Sequence, residues 1–200
     1  MELTPEWRAE IPQLIRDLGR PTHVSEHIDD SFDDPIHKPD RTGEVCMVVR
    51  RPNGKLLLAI KTFYPEGAYR LPTGGIHHGE SIRDAAVREA YEETGLELGL
   101  VRFLTHVIYL APKPVFHTFA FLFEERGGTL GAIDATEEIA DWREVDVAEL
   151  PAVAENLASL TTAGARDIGG SWGAWGKFRA VVHRAVHDVL TSPDGRTGTR

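Results

Sequence analysis

Gly74 is followed after five residues by Glu80, after seven more by Arg88-Glu89, and then by Glu92-Glu93 and Gly95-Leu96. No other stretch of the chain constrains its fold as tightly. A helix turns once in about 3.6 residues, so Glu89, Glu92 and Glu93 stand at i, i+3 and i+4 and share one face of a predicted helix. Three carboxylates held so close repel one another. Hard divalent cations between them would cancel that repulsion, because carboxylate oxygens suit Mg2+, with Mn2+ as the alternative ion. Mg2+ held by few protein oxygens completes its shell with substrate phosphates. Gly74 and Gly75 let the backbone approach an ion so that a carbonyl can serve as a ligand, although a tight turn would also use them. Glu80 is either a metal ligand or an anchor for the loop. Arg88, one residue before Glu89, is placed to orient carboxylates, Glu80 or Glu93 foremost.

The segment resembles the Nudix box, in which these glycine, glutamate and arginine positions are fixed. Every fixed position matches, Ala90 and Leu96 fill the two apolar positions, and Leu71-Pro72 looks like the usual approach, with Thr73 where many members have glycine. Seven specified polar or glycine positions inside 23 residues make a specific pattern, where a lone glycine-rich loop would be weak. The resemblance implies an α+β fold, an α/β/α sandwich with a mixed central sheet, in which the box forms a loop, a helix and a loop. It implies Mg2+-dependent hydrolysis of a nucleoside diphosphate linked to another moiety. Metal ligands would come from Gly74, Glu80, Glu89, Glu92 and Glu93, with Arg88 supporting them. The catalytic base in such proteins is a box glutamate or an acidic residue near the last strand, where Glu137 and Glu138 precede Ile139, and Glu138 is the candidate carried forward. Competing readings are a solvated charged helix, a nucleoside triphosphate pyrophosphohydrolase, and a nucleotide-binding module that has kept the box and lost turnover. The related isopentenyl diphosphate isomerases carry a catalytic cysteine in a motif that Cys46 does not match.

The chain has 22 basic against 31 acidic residues, a net charge of −9, so duplex nucleic acid and anionic membranes are repelled overall. An anionic small molecule must then be received by metal and local arginines. Cys46, the one cysteine, lies in the apolar run from Val45 to Val49 and reads as a buried hydrophobe. No leading apolar signal and no long apolar run is present, which points to a soluble cytoplasmic protein. Residues 1–42 read as an N-terminal helix and loop extension, 43–160 as the central domain, 161–191 as a glycine- and tryptophan-rich loop leading to an amphipathic helix, and 192–200 as a disordered tail. Strands are expected at Glu44–Arg50, Lys55–Thr62, Val101–Leu110, Val115–Phe123 and Ile139–Val145, with a helix from Val147 to Leu160. The terminal helices carry apolar stripes, Trp7 to Leu18 and Phe178 to Leu190, that must pack on the central domain or across a homodimer.

Outside the box, Arg51, Tyr64, Tyr69, Arg70 and Phe116 are candidates for the walls of a base-binding cleft. His77 and His78 read as loop residues brushing substrate or solvent, His117 as a core histidine, and His183 with His187 as the polar face of the last helix. Relatives that hydrolyse ADP-ribose tend to carry a proline about fifteen residues beyond the box. Pro112 lies sixteen beyond Leu96, which favours ADP-ribose or a nucleotide sugar, although a turn between strands also selects proline.

Overall fold

The computed structural model describes residues 2–28, 41–111, 114–161, 164–165 and 170–192. Pro112, Lys113, the acidic stretch 29–40 and the expected tail beyond Ser192 lie outside the described residues. Helix α1 (Pro5–Leu18) starts on Thr4, whose hydroxyl accepts the Trp7 N–H, with proline in the first turn. The remaining order is β1 (Thr22–His27), β2 (Arg41–Arg50), β3 (Leu56–Lys61), β4 (Thr73–His77), α2 (Ile82–Thr94), β5 (Leu96–Leu110), β6 (Pro114–Gly128), β7 (Ile139–Val145), α3 (Leu150–Ala158), the short pair β8 (Gly164–Ala165) and β9 (Gly170–Ser171), and α4 (Trp172–Thr191).

Among the described residues, seven strands form one mixed sheet in the order β1-β5-β6-β2-β3-β7, with β4 paired to β2. The β1–β5 and β6–β2 pairs are parallel and the others antiparallel. Strand β2 shows why both faces are covered. Val45, Met47 and Val49 belong to the core under α1 and α2, while Cys46 and Val48 belong to the core under α3 and α4. A strand buried on both sides reads as a continuous apolar run instead of an alternation. Burial pushes the Cys46 thiol well above its ordinary value, so it stays protonated. No helix among the described residues is long and apolar enough to cross a membrane.

Both terminal stripes pack on this chain's own sheet. Trp7, Leu14 and Leu18 are buried from α1, and Trp175, Phe178, Val182, Val186 and Val189 from α4. Pairing across a dimer is therefore not required to cover them. Three elements depart from expectation. Strand β1 falls in a stretch read as linker, because it is a nearly all-exposed edge strand held through backbone pairing with β5. Strand β4 contains Gly74-Gly75, which have no strand propensity. Helix α4 begins at Trp172, inside the expected glycine-rich loop, with Ser171 as its cap. Gly176 there lets α3 approach closely, since a Cβ would sit 1.9 Å from the Leu157 carbonyl oxygen.

The polar side chains that dock α4 are fully buried. Arg179 Nη1 donates to both Glu44 oxygens at 2.7 Å, and the Thr118 hydroxyl donates to Glu44 Oε1 at 2.8 Å. His183 is buried too, so it does not lie on the polar face assigned to it, whereas His187 is only partly covered and pairs with Asp188. The Leu71 N–H donates to His183 Nε2 at 2.9 Å. Nδ1 must therefore carry the proton, and it donates to the Arg179 carbonyl at 2.8 Å. Burial lowers the His183 pKa to about 4, and burial together with His117 lowers that of His106 to about 3.

Truncation after Gly164 removes α4 and uncovers one face of the sheet. The product should aggregate in size-exclusion chromatography, and a monodisperse, cooperatively melting fragment would contradict this packing. The two histidines predict acid sensitivity. Their folded pKa values lie below the unfolded 6.5, so the unfolded state takes up protons first, and stability present above pH 6.5 is lost as pH falls towards 4. His183→Phe should cost about 1–3 kcal/mol near neutral pH by orphaning the Leu71 N–H. Its unfolding free energy should also depend less on pH below about 6.5 than wild type does, as urea titrations will show.

Candidate active site

The box helix α2 is fixed at both ends by other parts of the chain. At its start Ser81 Oγ accepts the Asp84 N–H at 3.0 Å. The two preceding first-turn amides, of Ile82 and Arg83, donate to the Glu10 carboxylate of α1 at 2.8 and 2.9 Å. Arg83 returns a salt bridge to Asp17 at 2.8 Å. At its end Gly95 takes the left-handed conformation at φ 65°. The loop after β6 then closes over the last turn, with the Gly131 and Ile133 amides donating to the Thr94 and Glu92 carbonyls, each at 2.9 Å.

Arg88 organises the carboxylates. Its Nε and Nη2 grip Glu80 at 2.7 and 2.8 Å, Nη1 reaches Glu89 at 2.8 Å and Glu92 at 2.9 Å, and Nη2 also donates to the Gly75 carbonyl at 3.0 Å. Glu80 thus spends both oxygens on Arg88 and accepts the His77 N–H as well, which is the anchoring alternative. Burial opposes the Glu80 charge, but Arg88 and the His77 amide overcome it and hold the carboxyl below its ordinary value. Arg88 makes no contact with Glu93, the other partner expected for it. Gly74 has a reason that was not legible beforehand. A Cβ there would lie 1.9 Å from the Glu89 carboxyl carbon, so only glycine leaves room for that side chain over β4.

Glu93 is 1 % exposed, and both of its oxygens are buried without a hydrogen-bond donor. The ammonium of Lys61 stands 3.8 Å from Oε1 and is bonded at 2.9 Å to Glu137, which precedes β7. Burial pushes the Glu93 carboxyl up to about 7, and repulsion from Glu137 and Glu89 adds to the effect, against Arg70 and Lys61. Burial likewise raises Glu89. Among the described residues no three acidic, imidazole or thiol side chains form a ready-made cage for an ion. Mg2+ rarely needs one, since it keeps several waters and binds through one or two carboxylates. A buried carboxylate without a hydrogen-bond donor beside Glu89, with Glu92 on the same helix face, fits the needs of such a cation, because Lys61 at 3.8 Å leaves both Glu93 oxygens unsatisfied.

The residues proposed outside the box scatter. Arg70 is buried, bonded to the Tyr64 hydroxyl, the Leu71 carbonyl and the Thr73 hydroxyl, and its charge favours the ionised form of Glu93. Tyr69 lies at the rim, donating to Asp141 at 2.5 Å. Phe116 is sealed in the core against Phe178, and Arg51 is tied to Glu125 at 2.6 Å beside the β2–β3 turn, so neither faces the box. Glu138 is exposed, has φ 53°, and lines a cleft of about 520 Å3 together with Thr62, Asp134, Asp141 and Trp142. Glu137, not Glu138, is the acid that reaches the cluster. His77 and His78 are exposed, and His117 is buried as expected. Sequence reasoning missed Glu10 and Lys61, for which no local motif exists, since their partners lie in other elements.

A NUDIX domain profile matches residues 40–163. Over 119 residues the chain is 32% identical to the NAD-capped RNA hydrolase NudC of Vibrio atlanticus, covering 60% of this chain and 42% of that protein. An RNA pyrophosphohydrolase of Baumannia cicadellinicola is 37% identical over 75 residues, covering 38% of this chain and 46% of that one. The chain spans less than half the length of these curated relatives. Among solved structures, a nudix hydrolase family member from Chromobacterium violaceum aligns with a TM-score of 0.47 at 18% identity, over 78% of this chain and 83% of its own. An ADP-ribose pyrophosphatase from Streptococcus suis aligns with a TM-score of 0.46 at 18% identity, over 78% of this chain and 95% of its own. With a profile match that spans well over half of its 200 residues and takes in the whole box, the chain belongs to the NUDIX domain family.

Proposed function

We propose that this chain is a Mg2+-dependent hydrolase of the pyrophosphate in a nucleoside diphosphate linked to another moiety. Glu93 carries the reading: a buried carboxylate with no hydrogen-bond donor on either oxygen, beside Glu89 and with Lys61 no nearer than 3.8 Å, offers two free oxygens to a cation. Glu93, Glu89 and Glu92 would hold the ion, and Mn2+ would serve in place of Mg2+. When bound, the ion supplies charge stabilisation to the phosphoryl oxygens and acidifies water. Arg88 acts by holding Glu89 and Glu92 in place, and Glu80 by holding Arg88. Glu137 replaces Glu138 as the outside candidate for accepting a proton, because its carboxylate reaches Lys61 beside Glu93. Tyr69 stays a candidate because it bonds to Asp141, which lines the cleft, whereas Arg70 is buried and acts on Glu93 through its charge, and neither Phe116 nor Arg51 faces the box. The names of the relatives, hydrolases of NAD-capped RNA and of RNA pyrophosphate, support phosphoanhydride chemistry.

Glu93→Gln tests the metal assignment. With a ligand lost, turnover on the best substrate should fall by about 100-fold or more, equivalent to roughly 2.7 kcal/mol. In metal-free protein the same change should raise the melting temperature at about pH 8. The folded pKa of Glu93, about 7, exceeds its unfolded value of 4.5, so the stability linked to this group is present below pH 4.5 and lost as pH rises through 7. Near wild-type turnover, or a lower metal-free melting temperature, would count against the assignment.

The substrate is settled by kcat/KM on a panel of ADP-ribose, nucleotide sugars, NADH, NAD-capped RNA, nucleoside triphosphates, diadenosine polyphosphates and coenzyme A. Diphosphate esters, with ADP-ribose or a nucleotide sugar foremost, should lead. A nucleoside triphosphate ahead of all of them by about tenfold would move the chain to the triphosphate class. A panel that releases no product with either ion would leave a binding module.

A further inference from the structure

Lys61 ends β3 where the register to β7 shifts, Ile60 pairing with Asp141 and Lys61 with Ile139. An irregularity of that kind re-aims side chains. Leu57, two positions before Ala59 and four before Lys61, packs in the core beneath α2, and Lys61 continues that face towards Glu93. Its side chain is 17 % exposed, with the ammonium 2.9 Å from Glu137 and 3.8 Å from Glu93. Among the described residues it is the cation within ion-pair distance of Glu93.

On the reading that Glu93 holds a divalent ion, we propose that Lys61 is the counter-ion shared by Glu93 and Glu137 in metal-free protein, offsetting part of their charge and giving way when the divalent ion binds. Two features support this. The Lys61–Glu93 separation is too long for a hydrogen bond, so the ammonium contributes charge without satisfying either Glu93 oxygen. A lysine is also a compact charge on a flexible four-carbon stem, able to swing aside while still bonded to Glu137 or to pass to a substrate phosphate, which a planar arginine in a fixed fork could not do as readily. Ion affinity is then an exchange, lowered by the work of displacing the ammonium and by its repulsion of the incoming ion. Lys61 is a positioning residue in this scheme, setting how tightly the ion is held.

Calorimetric Mn2+ binding to wild type and Lys61→Met tests this, together with metal-free melting. Removing the charge while keeping the stem should lower the metal-free melting temperature and tighten Mn2+ binding by about fivefold or more. A residue with a merely structural role would lower stability without tightening binding. In wild-type protein, acylation of Lys61 by an amine-reactive reagent, read by mass spectrometry, should rise when Mg2+ is added. Binding no tighter in Lys61→Met, or Lys61 reactivity that is unchanged or reduced by Mg2+, overturns the proposal while leaving the ion site standing. If wild type fails to bind Mn2+ at all, the divalent-ion reading falls and this proposal with it. Should Lys61→Met not fold, the acylation measurement decides alone.

Discussion

Arg88 is bonded to three carboxylates and a carbonyl at once, and the geometry of the site depends on that one guanidinium. Glu80 comes from the loop before the helix, Glu89 and Glu92 from the helix, and Gly75 from the strand beneath it. A planar fork with five donors can bridge three elements in this way, and a lysine could not. The same contact explains how acidic residues so close together are tolerated, because Arg88 neutralises part of their repulsion before any ion arrives. It leaves Glu93 out. Glu93 has instead the Lys61 ammonium within ion-pair distance, at 3.8 Å, with no hydrogen bond to either oxygen.

The opposite side of the sheet repeats the theme with a structural purpose. Glu44 and Arg179 are buried as a bonded pair, with Thr118 completing the carboxylate. Such pairs contribute little net stability against an apolar replacement, but removing one partner leaves a buried charge exposed to a dry medium. Here the pair fixes where α4 sits along β2, and His183 adds a second polar bond to the strand approach at Leu71. Helix α4 thus supports the segment that leads into the box, although it contributes no carboxylate to the cluster.

The box was legible because its chemistry is local: the spacing of Glu89, Glu92 and Glu93 on one helix face requires no knowledge of the fold. The sandwich was implied by the resemblance of the box to a known family, and the structure shows why the run Val45–Val49 is continuously apolar, since that strand is buried on both faces. Edge strand β1 and strand β4 were not legible, the first because its nearly all-exposed residues carry little apolar signal and the second because glycines carry no strand signal. Phe116 and Arg51 failed as cleft residues for a related reason. An aromatic ring or a guanidinium announces neither its face nor its partner, and here the core and Glu125 claim them. Glu10, Lys61 and Glu137 act through contacts 72, 32 and 76 positions apart in sequence, a range over which no pattern of spacing speaks.

Helix α1 lies outside the residues that match the family, yet its Glu10 takes the first two amides of the box helix. The acceptor for those amides could equally be supplied by a different side chain from a different segment. Glu10 and the start of α2 therefore form one structural unit. Across lineages, a change at residue 10 should appear together with a new acceptor near residues 82–83, or with a shift in the docking of Trp7 against Gly43, while the glutamates of the box stay fixed. The start of the box helix thus depends on a side chain from outside the family match, whereas its charged face is set by residues within it.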